Sequence, residues 1–187
     1  MSKLKSTWVL WYHNTNDKNW DLKSYINLYE FNDIESFWKM VNTIETYYNN
    51  YHNDMLFLMK KNKNDYIYPM WEDKYNKKGG YWSFKINKND LHNIWLESMI
   101  LLISESLLNN NLHNNNINGI SISPKKNNCI MKIWNNNHNI NDINMLSEIK
   151  NINYNEVIYK CHKDNIKQDF NKLSNNKSHY FGRRQFI

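Results

Sequence analysis

Apolar residues recur along this chain in two rhythms. Over 33–48, Phe37, Val41, Ile44 and Tyr48 follow at spacings of four, three and four, which marks one face of a helix. Asn32 or Asp33 stands where an N-cap belongs, and Ile34 and Trp38 form a second, displaced stripe. Over 90–108 the rhythm returns, with Trp95, Met99 and Leu102 on one face and Leu96, Ile100, Ile103 and Leu107 on its neighbour. A weaker helix is expected over 142–151. Shorter runs at 8–12, 56–59, 81–86, 120–123, 130–134, 156–159 and 185–187 read as strands. Hairpin-like spacing mixed with separate helices predicts an α+β fold, an antiparallel sheet backed by helices on one face and free to bind on the other.

Asn clusters at 109–116, 135–141 and 171–176 read as loops. With the abundance of Lys, Ile and Tyr they carry the imprint of an AT-rich genome. The length of 187 residues suits one compact domain, expected over 1–187. Eight Trp and thirteen Tyr give both core material and flat rings for stacking on bases.

A formal charge of +6 favours an anionic partner: nucleic acid, nucleotide phosphate or an acidic surface. No block of consecutive Lys or Arg suggests a polybasic membrane anchor, and the apolar run Met99–Ile103 is far shorter than a membrane span. Cys129 and Cys161 lack metal-site spacing and read as thiols in a reducing compartment. With no signal-peptide pattern in residues 1–7, the expectation is a cytoplasmic protein. No P-loop, nucleophile elbow or H-E-x-x-H is visible, and the scattered acids do not resemble a metal cluster. The expectation is a binding module, without cofactor and without catalysis.

The most informative stretch is Pro69-Met70-Trp71-Glu72-Asp73, followed by Lys77-Lys78-Gly79-Gly80-Tyr81-Trp82-Ser83. Pro69 disfavours a helical conformation at Tyr68, and Gly79-Gly80 punctuates entry to a strand. A loop ending in Trp-Glu, then a basic Gly-Gly turn into an aromatic strand, resembles the eukaryotic translation initiation factor 4E family, the messenger-RNA cap-binding proteins. Further similarities lie in order: Trp8-Val9-Leu10-Trp11-Tyr12, Trp20 after Asn19, Ile34 to Trp38, Asp90 to Ser106, Asn118-Gly119-Ile120 and Ile133-Trp134. The resemblance covers roughly residues 7–187 and weakens after 135.

That resemblance implies a curved antiparallel sheet, three helices on its convex face and a cap slot on its concave face. Trp20 and Trp71 would be the two jaws around the base. Methylation at N7 makes guanine a delocalised cation, which stacks on electron-rich rings better than neutral guanine does. Glu72 would accept from guanine N1–H and the exocyclic amine, the Trp71 backbone N–H would donate to O6, and Trp134 would lie against the N7 methyl. For the phosphates, where the family has Arg-x-Lys-x-x-Lys, this chain has Lys125-Lys126-Asn127-Asn128-Cys129-Ile130. Lys125, Lys126 and Lys132 are therefore expected to share that work, Lys132 lying on the same strand face as Ile130 and Trp134. Tyr81 stands where the family usually has Arg and, with His162, Asp164, Lys177, Arg183 and Arg184, is a candidate for the rim. Trp8, Trp11, Trp82 and Trp95 alternate with other apolar residues in regular segments and read as core.

On the opposite side, Ile34, Trp38, Leu96, Glu97 and Ile100 have the composition of a receptor for an amphipathic helix. The resemblance implies a helix from a scaffold factor 4G-like protein, or from a repressor sharing its motif, on an otherwise monomeric protein. The family usually has His-Pro-Leu before the first strand; this chain reads Ser2-Lys3-Leu4, which suggests a matched partner in a divergent or viral setting. Two alternatives stay open: a 4E-like translational repressor, and a general single-stranded RNA binder with altered cap preference.

Overall fold

The computed structural model describes residues 2–47, 55–63 and 65–171. In chain order it contains β1 (Lys3–His13), β2 (Tyr25–Asp33), α1 (Ile34–Tyr47), β3 (Met55–Asn62), β4 (Asp65–Tyr66), β5 (Gly80–Asn87), α2 (Leu91–Ile103), β6 (Ile117–Pro124), β7 (Asn128–Asn135) and β8 (Ile158–Cys161). A helical run, α3, follows over 162–171. The strands form one sheet in the order β2-β1-β3-β6-β7-β5-β8, with β4 attached to β3. Every pairing is antiparallel. Tyr48, Lys177, Arg183, Arg184 and the strand expected over 185–187 lie outside the described residues.

Central strands are buried on both faces, so their sequences run continuously apolar instead of alternating. Trp8 to Trp11 in β1 and Leu56 to Met59 in β3 are all buried. Their side chains still divide by parity. Trp8, Leu10, Leu56, Leu58, Ile120, Ile122, Met131, Ile133, Trp82 and Phe84 join the main core beneath the helices. Val9, Trp11, Tyr25, Phe57, Met59, Ile67 and Trp134 form a second, smaller cluster on the other face. The register carries one row of that second face through Phe57, Ser121, Lys132 and Ser83, and the next through Met59, Gly119, Trp134, Tyr81 and Lys160. Ile130, Lys132 and Trp134 thus share a face, as strand alternation predicts.

Asp33 is the N-cap of α1: its carboxylate accepts from the Ser36 N–H at 2.8 Å. Phe37, Val41 and Ile44 are buried as the spacing predicts, joined by Met40, while Ile34 and Trp38 stay exposed. α2 ends at Ile103 and not at Leu108. Glu105 takes a left-handed backbone (φ 55°), the Ser106 N–H donates to the Leu101 carbonyl at 2.8 Å, and the Glu105 N–H donates to Leu102 at 3.0 Å. This is a Schellman stop built without glycine. Ser6 donates to the Glu105 carboxylate at 3.0 Å, and Lys5 and Lys60 approach it, which holds the strained residue in place. Ile103 and Leu107, expected beside the core face, are buried in the core.

The helix expected over 142–151 is a correction. Leu146 is drawn into an extended bridge with Leu108, so only a single 3-10 turn forms at Ile143–Met145, capped by Asp142. Ile140, Leu146 and Ile149 enter the core from loop, and their spacing imitated a helix. The third helix is α3 instead. Strand β2, missed in the sequence, lies at the sheet edge, where Ile26, Asn27 and Leu28 face outward and a bulge interrupts the alternation.

Candidate functional site

The face that carries the smaller cluster collects most of the residues singled out in the sequence. Trp20 sits between two turns closed by aspartates: Asp17 accepts from the Asn19 N–H at 2.8 Å, and Asp21 caps the 3-10 turn Leu22–Ser24. The indole is 52% exposed, so the core does not hold it. His13 does. This fully buried imidazole stacks on Trp20 with centroids 4.2 Å apart and planes 6° from parallel, while its Nε2 hydrogen-bonds with the Asn19 carbonyl oxygen at 2.9 Å.

Trp71 and Glu72 are the two central residues of a turn closed by the Asp73 N–H donating to the Met70 carbonyl at 3.3 Å. The turn is braced from below. The fully buried Asn76 donates to the carbonyls of Tyr68 and Met70 at 2.8 and 2.9 Å, and Asn118 of β6 donates to the Asn76 side-chain oxygen at 2.8 Å. Asp73 accepts from the Tyr75 N–H, and burial raises its carboxyl above the ordinary range. Gly79 and Gly80 follow because a Cβ at either would collide with backbone, at Asn135 and at Lys160 respectively. Close approach, not a positive φ, requires these glycines.

Tyr25 lies beside the first of these loops and feels the charge of the second. Its ring lies 6.5 Å from Trp20, and its hydroxyl is pushed well above the usual phenol range by burial first and by the negative charge of Glu72 second. Trp71 is half-buried against the smaller cluster and Glu72 is exposed. The region therefore presents one exposed indole, one half-buried indole and one exposed carboxylate.

The floor beside them is aromatic and basic. Trp134 is buried, its indole N–H donating to Ser121 Oγ at 2.9 Å, with Phe57, Tyr81 and His162 around it. Lys132 Nζ lies 4.2 Å from the Tyr81 ring centroid, 5.8 Å from Trp71 and 6.0 Å from Trp134. Burial, then the charges of Lys125 and Lys160, lower its pKa to about 8. Lys125 and Lys126 are exposed at the β6–β7 hairpin tip, where the Lys125 N–H donates to the Asn128 carbonyl.

Two of the rim candidates sit deeper than the sequence suggested. Tyr81 is buried, with Asn165 donating to its hydroxyl at 3.3 Å, and His162 is fully buried. Both back the floor, because parity on β5 and the start of α3 turn them under Trp134. Burial, followed by the charge of Lys132, drives the His162 pKa down to about 3. Asp164 is exposed on α3. Sequence reasoning missed His13, Tyr25 and Lys160. Parity could have found Lys160, which pairs with Tyr81 across β5–β8; nothing local marks His13 or Tyr25.

On the helix-covered side, Ile34, Trp38 and Ile100 are 41%, 42% and 40% exposed, and Leu96 and Glu97 are half-buried. Glu97 accepts from the Lys150 N–H at 3.2 Å, which ties it to the neighbouring loop. The Ile34 N–H donates to the Ser2 carbonyl, so the Ser2-Lys3-Leu4 stretch does border the start of α1.

These features define a curved antiparallel sheet with an aromatic, lysine-bearing face opposite a helix-covered one. The model of the family described as eukaryotic initiation factor 4E matches residues 3–177, and the chain belongs to that family. It is 32% identical over 136 residues to eukaryotic translation initiation factor 4E of Xenopus laevis, covering 70% of this chain and 60% of that one. To eukaryotic translation initiation factor 4E1 of Drosophila melanogaster it is 35% identical over 136 residues, covering 70% and 49%. The matched part thus spans about half to three-fifths of these relatives. In fold it is similar to eIF4E-3 of C. elegans, solved with the 4E-binding protein Mextli and a cap analog, at a TM-score of 0.71, 24% identity, and 89% and 95% coverage.

Proposed function

We propose that this protein binds the 7-methylguanosine cap of messenger RNA between Trp20 and Trp71 and recruits a scaffold factor 4G-like partner. It acts by binding, not by catalysis, as a single unit over 1–187 in the cytoplasm. The observation that carries the reading is that Trp20 and Glu72, far apart in sequence, are both left exposed on the side of the smaller aromatic cluster, where Tyr25 lies beside the Trp20 ring and feels the Glu72 charge. Family membership and the C. elegans complex support it.

A methylated guanine is a flat cation. Each indole face contributes about 1–3 kcal/mol by stacking, and more readily to a cationic ring than to a neutral one. Glu72 accepts from N1–H and the exocyclic amine, a charge-assisted pair that adenine cannot offer, and the Trp71 N–H donates to O6. Trp134 closes the inner wall near the methyl group. Lys125, Lys126 and Lys132 receive the phosphates; lysines in place of a planar guanidinium give point charges and looser geometry. On the far side, Ile34, Trp38, Leu96, Glu97 and Ile100 take the apolar face of an amphipathic helix.

The test is titration with 7-methyl-GTP and GTP, followed by intrinsic tryptophan fluorescence, with Trp71→Ala and Glu72→Ala alongside. Quenching by the methylated ligand alone, lost in both variants, is the expected result. Equal response to both ligands would move the protein to the single-stranded RNA-binding reading.

A further inference from the structure

Lys132 is an unusual neighbour for a site that receives a cation. Its ammonium lies within cation–π range of Tyr81, Trp71 and Trp134 at once, on the inward face of a central strand. The charges that act on it are two further lysines, Lys125 and Lys160, and both oppose its own. Among the described residues no carboxylate pairs with it, and ring faces offset the loss of water around it. Two of those rings, Trp71 and Trp134, are the ones assigned above to the methylated base.

We propose that Lys132 is a resident cation that fills the aromatic enclosure of the free protein and turns out to the phosphates when a capped ligand enters. The inference rests on the cap-binding reading and deepens it: the site then demands a cationic base and a phosphate chain together. Two like charges cannot share the same ring faces at a few ångströms without repulsion. A lysine stem is flexible and can withdraw. With a triphosphate present, the displaced ammonium exchanges its ring contacts for charge-assisted hydrogen bonds. With a bare nucleoside it exchanges them for water alone, and its rearrangement opposes binding.

An ordinary phosphate-contacting lysine leaves nucleoside binding unaffected, whereas a resident cation weakens it. The experiment measures affinities of 7-methylguanosine and 7-methyl-GTP for the wild-type chain, Lys132→Met and Lys132→Arg. Methionine keeps the unbranched shape without the charge. In Lys132→Met the nucleoside is expected to bind about tenfold more tightly while the triphosphate binds more weakly. Lys132→Arg keeps a cation on the rings and is expected to hold the wild-type preference for the triphosphate. Melting temperature is measured for each variant, and Lys132→Met is expected to be at least as stable as wild type, since a half-buried charge facing like charges is removed. A Lys132→Met chain whose nucleoside affinity is unchanged or lower overturns the proposal and leaves the cap reading standing. A wild-type chain that binds neither ligand defeats the cap reading and this inference with it.

Discussion

At the scale of single residues, the pair His13 and Trp20 shows how a binding group is held without being buried. The indole stands in solvent, but a fully buried imidazole lies flat against its back. His13 is thus a positioning residue for the proposed jaw. Loss of one aromatic stacking contact costs about 0.5–1.5 kcal/mol, so His13→Ala is expected to weaken 7-methyl-GTP binding roughly 2- to 12-fold. His13→Phe, which restores the ring, should recover most of that loss. Equal affinity in the alanine and phenylalanine variants, measured by fluorescence titration, would show that the stack does not position Trp20. Trp71 and Glu72 stood out in the sequence because the short stretch from Pro69 through Gly79-Gly80 resembles a family motif, and such a motif is local. His13 did not, because its role depends on where a loop folds back on β1.

At the scale of elements, α1 was read nearly to the residue, since one amphipathic stripe and one capping carboxylate define it. Asp33→Ala is expected to lower the melting temperature by roughly 2–4 °C, the usual consequence of losing an N-cap in a chain of this size. The segment over 142–151 was misread because core-facing loop residues kept a helical spacing, and the Leu108–Leu146 bridge overrode it. Strand β2 escaped notice because an edge strand has one neighbour and need not alternate. On the outer side, Trp38 stays 42% exposed and lies outside the main core cluster. Trp38→Ala should therefore reduce binding of an amphipathic scaffold-type helix peptide by about tenfold or more, in keeping with an aromatic anchor. Calorimetry with that peptide tests this, and the response to 7-methyl-GTP should be unchanged in the same variant.

At the scale of the whole molecule, the buried His162 couples folding to pH. Folded, its imidazole holds a proton only near pH 3, against 6.5 ordinarily. The unfolded chain therefore binds the extra proton between those values, and the stability present above pH 6.5 is lost as pH falls toward 3. His162→Gln, which cannot titrate, is expected to show a shallower fall in melting temperature from pH 6.5 to 4 than wild type; parallel profiles would refute the coupling. Lys132 acts in the same direction over a higher range. Its depressed pKa, about 8, leaves the unfolded chain more protonated at higher pH, so stability rises as pH climbs from 8 toward 10.5. By itself the sequence determined the fold class, both long helices and six of the strands. Each of these rests on periodicity, capping or turn chemistry that operates over a few residues. Only the tertiary structure decided that Tyr25 lies beside Trp20 within reach of the Glu72 charge, that His13 backs the exposed indole, and that Lys132 lies among three rings and feels the charges of Lys125 and Lys160. Those contacts arise from strand order and register, which bring distant segments onto one curved face, and no local pattern encodes which strands become neighbours.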